Sequence, residues 1–224
     1  MYEDRVVQGR AGAGVLSTNK VIRNTYMLLS LTLLFSAVTA GIAMAANVGH
    51  GAGMICTFAS LGLLWFVLPR FANQAAGIGI VFGVTGLLGF GLGPIISTYL
   101  QVFSNGAELV MTALGGTGVI FLGLSAYALT TKKDFSFLGG FLFVGILVAF
   151  LGGIAGLLFA MPMLNLVVSG MFVLLMSGMI LFQTSQIIHG GETNYVMATI
   201  SLYIALYNLF LSLLQLLAAF AGQR

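Results

Sequence analysis

A bundle of seven transmembrane α-helices is the fold class this chain predicts, and three observations predict it. Of its 224 residues, 59% are hydrophobic and 6% charged, against roughly 25% charged in an average soluble domain. The mean hydropathy is +1.10. The apolar residues gather into seven runs, each near the roughly 20 residues that cross the hydrocarbon of a bilayer, and they lack the apolar–polar alternation of barrel strands. The basic residues, finally, are segregated into every second connection, as the positive-inside rule requires of a multi-pass protein.

The formal net charge of +3 does not imply a nucleic-acid partner, because a chain this apolar has no soluble basic face to offer one. Its surroundings are the lipid bilayer. A single cysteine, Cys56, lies in an apolar run, so an intrachain disulfide is impossible.

In chain order, residues 1–20 are polar and glycine-rich and read as a flexible tail, too poor in apolar area to order itself. The remainder, 21–224, is one membrane domain with spans expected over 26–46, 53–68, 75–99, 109–129, 135–161, 164–188 and 195–220. Ala43-Met44-Ala45 has the form of a signal-peptidase site, but the apolar run before it is too long for a leader and reads as the first span. The second span is expected to stop at Pro69 and Arg70. Pro94, late in the third, lacks a backbone N–H and predicts a kink or break. The turn Lys132-Lys133-Asp134 separates spans four and five, and Pro162 with Asn165 marks the next turn. With the N-terminus cytoplasmic, Arg5, Arg10, Lys20, Arg23, Arg70, Lys132 and Lys133 lie inside and Arg224 alone lies outside, so the C-terminus is periplasmic.

Gly79 with Gly83, Gly89 with Gly93, and Gly152 with Gly156 have the spacing that brings helix backbones together in lipid. No expected span carries an ionisable group in its middle. His189, Gly190, Gly191 and Glu192 fall in the basic-side turn between spans six and seven, where a histidine at a helix C-terminus is favoured by the dipole. Gln183 and Gln186 on span six, with Ser201, Asn208, Ser212 and Gln215 on one face of span seven, make a polar layer that either bonds helices together or lines a wet cavity. No nucleophile paired with a base, no Cys/His metal cluster and no phosphate loop is present, so neither an enzyme nor a cofactor is expected.

Several stretches together resemble the Bax inhibitor-1 (transmembrane Bax inhibitor motif) family. They are Gly91-Leu92-Gly93-Pro94-Ile95, the run Thr130-Thr131-Lys132-Lys133-Asp134-Phe135-Ser136-Phe137, the run Gln186-Ile187-Ile188-His189-Gly190-Gly191-Glu192-Thr193-Asn194-Tyr195, and Leu202-Tyr203 with Tyr207-Asn208-Leu209-Phe210. The resemblance is strongest to its bacterial inner-membrane branch, the YccA-type modulators of the FtsH protease. It implies seven helices, a cytoplasmic N-terminus and association with that membrane-anchored AAA protease, for which residues 1–20 would supply an unfolded end to grip. Other members imply a second activity, a pH-sensitive calcium or cation leak gated by a buried aspartate pair. The matching positions here are Gln183 and Ala205, which cannot titrate, and span two has no charge before Arg70.

Overall fold

The computed structural model describes the backbone of residues 2–222 and the side chains of residues 18–222. Among the described residues, seven helices are long and apolar enough to cross a membrane. They are α1 (Tyr2–Ala45, apolar from Thr18 on), α2 (His50–Phe71), α3 (Ala75–Val102), α4 (Gly106–Thr131), α5 (Leu138–Leu158), α6 (Pro162–Ile188) and α7 (Tyr195–Ala221). The tail expected over residues 1–20 falls mostly on side chains outside the described residues, as does Arg224.

One expectation about proline is corrected and another is narrowed. Helix α2 does not stop at Pro69 but continues to Phe71, because a π turn over Leu63–Val67 precedes it. The Leu68 N–H donates to the Leu63 carbonyl, and this five-residue step widens the helix where the proline ring would otherwise crowd the preceding turn. Helix α3 passes through Pro94 without a break. Pro94 is buried beside Gly53 of α2, and its own carbonyl accepts from Thr98 Oγ1 at 2.9 Å.

Helix α7 is the centre of the bundle and packs against α1, α3, α4 and α6. Leu202, Tyr203, Leu209 and Leu214 on it are almost wholly removed from the surface. Among the described residues α2 packs only on α3 and α5 only on α6, which leaves Phe58, Trp65, Phe141, Phe143 and Phe150 facing outward as the lipid-exposed exterior. The tightest seam joins α1 to α3. A Cβ on Gly86 would lie 2.6 Å from Phe35, one on Gly93 would lie 2.5 Å from Ala43, and one on Gly89 would run into Ser36 and Thr39. The spacing Gly89 to Gly93 is thus used as expected, for backbone approach. Gly152 and Gly156 serve α6 in the same way, against Val168 and Asn165, whereas Gly79 meets nothing.

Candidate functional site

The bundle has a basic end, carrying Lys20, Arg23, Arg70, Lys132 and Lys133 against Asp134 and Glu192, and an opposite end. At the basic end two turns converge on a third, the turn after α6. That turn is built by a Schellman motif: Gly191 N–H donates to the Gln186 carbonyl at 2.9 Å and Gly190 N–H to the Ile187 carbonyl at 3.4 Å. Gly190 has φ +76°, a left-handed conformation that glycine alone adopts without penalty.

From this turn and the helix before it, side chains reach the turn between α4 and α5. Ser185 Oγ accepts from the Phe135 N–H at 2.9 Å and donates to the Lys133 carbonyl at 3.3 Å. Gln186 Nε2 donates to Ser136 Oγ at 2.8 Å. The His189 ring spans the gap, with Nδ1 at 2.9 Å from its own helix's Ser185 carbonyl and Nε2 at 3.1 Å from the Lys132 carbonyl. Lys132 closes α4 in a left-handed conformation, φ 50°, which turns its carbonyl out of the helix ladder. Asp134 Oδ1 accepts from both the hydroxyl and the N–H of Ser136, and these bonds hold its carboxyl below the usual carboxylate range.

On the other side Asn194 does two tasks. Its Oδ1 caps α7 by accepting from Val196 N–H at 2.8 Å and Met197 N–H at 3.2 Å. Its Nδ2 donates to the Ala72 carbonyl at 2.9 Å and to Asn73 Oδ1 at 2.7 Å, tying in the turn between α2 and α3. The N–H of Asn194 is held in turn by Glu192 Oε1 at 2.8 Å. His189, Gly190, Gly191 and Glu192 therefore sit together at the hub of a polar platform flanked by lysine and arginine.

The residues of the expected polar layer divide. Gln183 (6% exposed) and Ala205 (1% exposed) are buried on the packed helices α6 and α7. Gln186 points to the platform instead. Ser201 is half-buried, and Asn208 Nδ2 donates to the Ile204 carbonyl of its own helix at 2.9 Å. Gln215 does join helices, accepting from Ser169 Oγ at 2.8 Å. The buried bonds that link α7 to the rest come from residues outside that layer. Tyr203 donates to the Thr85 carbonyl at 3.2 Å and accepts from Ser36 Oγ at 2.6 Å, so one phenol fastens α7 to α3 and α1. Thr199 Oγ1 lies 3.2 Å from the Thr25 carbonyl of α1, and between α1 and α6 the Tyr26 and Thr184 hydroxyls are 3.3 Å apart. The spacing of Thr199, Tyr203 and Tyr207, one turn apart on one face, was the available signal.

Residues 18–222 match the family described as inhibitor of apoptosis-promoting Bax1. The chain is 49% identical, over 96% of its length and 97% of the relative's, to the modulator of FtsH protease YccA of Escherichia coli K12. A protein of E. coli O6:H1 named inner membrane protein YccA matches equally. An uncharacterized membrane protein of Vibrio cholerae is 44% identical over 90% of each chain. The chain is accordingly a multi-pass inner-membrane protein.

Proposed function

Because the chain belongs to the Bax inhibitor-1 family, inhibitors of apoptosis-promoting Bax1, and is 49% identical to a relative named modulator of FtsH protease, we propose that it binds and modulates FtsH. That identity, running through 96% of the chain, is the observation that carries the reading. The basic end is then the cytoplasmic side. The platform around His189 and Asn194 is the contact surface, since its three turns are already fixed to one another and binding costs little ordering entropy. Residues 1–20 offer the protease an end to engage, so the modulator is also a slow substrate. The protein acts by binding and catalyses no reaction of its own.

Site-specific photocrosslinkers at Asn73, Lys133 and Glu192 in native membranes test this. Recovery of FtsH from these positions, and a cellular half-life lengthened by removal of either FtsH or residues 2–15, are the expected results. Failure of all three positions to capture FtsH, with a half-life independent of it, would overturn the proposal. The alternative, a calcium or cation leak, has no observation of its own in its favour, since Gln183 and Ala205 bring an amide and a methyl to the two gating positions.

A further inference from the structure

Among the described residues the backbones of α1 and α4 do not approach each other, and between the two helices lies a cavity of about 580 Å³. Its floor is α7, at Tyr203, Leu206 and Phe210, with α3 contributing at Leu92 and Ile96. Its walls are kept back by small residues: Ala37, Ala40 and Gly41 on α1, Ala107 and Gly118 on α4. A Cβ added at Gly41 or Gly118 would meet no atom within 4 Å. These glycines are therefore not packing glycines like Gly89; what they leave is space.

The rim is exposed hydrocarbon on both sides, Leu33 on α1 with Met111 and Leu114 on α4, so the cavity opens sideways into the bilayer. Toward the basic end the Tyr26 and Phe121 rings lie 5.8 Å apart, centre to centre, and bridge the gap. Toward the opposite end it runs on to Met44, Leu100 and Ala107. The α1 wall from Leu33 to Met44 is about 16 Å long at 1.5 Å per residue, close to half of the roughly 30 Å hydrocarbon core. This is the reach of one leaflet's chains.

Of the four hydroxyls that line it, at Ser36, Thr117, Tyr203 and Tyr207, the first three make no demand on a ligand. Those of Ser36 and Tyr203 bond each other, and Thr117 Oγ1 donates to the Ala113 carbonyl at 2.7 Å. The occupant is accordingly apolar. A groove at this depth, open to lipid, is filled by what surrounds it.

We propose that this groove is a binding site for one acyl chain of a lipid from the leaflet opposite the basic end, entered sideways between α1 and α4, its terminal methyl directed toward Phe121. The chain replaces the contacts that α1 and α4 do not make with each other.

The test uses the purified full-length protein in proteoliposomes containing a phospholipid with a diazirine at the end of one acyl chain, and in parallel one with the diazirine near the ester. Labelled residues are mapped by mass spectrometry. The chain-end probe is expected to mark Leu33 and Phe121 well above the exposed surface of α5, and the ester-proximal probe to mark Met44 and Ala107. In Gly118→Leu, and separately in Gly41→Leu, groove labelling is expected to fall to the α5 level with thermal stability unchanged; if one variant fails to fold, the other decides. Labelling no stronger than α5 in the unaltered protein, persistence in the folded variant, or a reversed order of the two probes would overturn the inference.

Discussion

The two ends of the bundle are joined by different forces. At the basic end, turns separated by 50 to more than 120 residues in the chain are bonded directly through Ser185, Gln186, His189 and Asn194. At the opposite end the turns satisfy themselves locally: Val48 N–H donates to Ala43, Phe103 N–H to Tyr99, Met161 N–H to Gly156. There the helices are joined by close backbone approach at Gly89 and Gly93, and by the His50 to Thr98 contact at 3.0 Å. A surface that must present one shape to a protein partner gains from turns fixed to each other. A wall that must admit lipid gains from helices fastened on one side and free on the other.

The largest effect should come from breaking the packing side of this contrast. Gly89→Leu drives a side chain into the α1 backbone at Ser36 and is expected to cost about 3 kcal/mol or more. Gly115→Leu on α4, where a Cβ meets nothing within 4 Å, is expected to be neutral. Heat- or detergent-induced unfolding of the solubilised protein measures both. Next in size is Asn194→Ala, which removes a helix cap and the bonds to Ala72 and Asn73 and should cost about 2 kcal/mol. Its counterpart is Asn105, the residue before α4, whose side chain makes no cap bond. Asn105→Ala is expected to change stability by less than about 0.5 kcal/mol. Equal losses from the two asparagines would erase the difference between the ends.

Much of this architecture was legible in the sequence, because hydrocarbon permits few solutions. Seven apolar runs and one-sided lysines dictate crossings and their order, and the turn at Gly190-Gly191 is written in residue types that few other conformations favour. Pro69 misleads for an instructive reason. A missing N–H predicts a disturbance but not its form, and a five-residue π turn that ends two residues upstream absorbs Pro69 without ending the helix. The buried polar bonds were legible only as a list of polar residues. Whether Asn208 turns back to Ile204 or out to a neighbour depends on rotamer and on the helix opposite, neither of which is a property of spacing. Tyr203 was hidden by its chemistry, since a tyrosine in a span suits the interface as well as the core. The groove was invisible, because a glycine that leaves space and a glycine that closes it have the same letter.

The platform's smaller contacts sharpen the comparison further. Ser185→Ala leaves the Phe135 N–H without its acceptor and should cost about 1 to 2 kcal/mol. Ser177 on the same helix bonds only the Val173 carbonyl one turn before it, so Ser177→Ala should cost less than about 0.5 kcal/mol. Amide exchange should quicken over residues 132–138 in the first variant and not in the second.

The smallest expected effect is one of pH, and it belongs to the basic end alone. Asp134 is fully exposed, yet the Ser136 hydroxyl and N–H hold its carboxyl below its ordinary value, with the Coulombic influence of His189 acting in the same direction. A carboxyl whose value is lowered by folding contributes stability that is complete above its unfolded value and is lost as pH falls through the folded one. Acidification from neutrality should leave the turn between α4 and α5 untouched until below the ordinary carboxylate range, then release Ser136 and speed amide exchange there. Asp134→Asn, which keeps one acceptor oxygen but not the charge, should remove the acid-dependent step while the turn between α3 and α4 exchanges at the same rate in both proteins. If both turns loosened together on acidification, the change would be a global one, and the bonds of Ser136 to Asp134 would not be its cause.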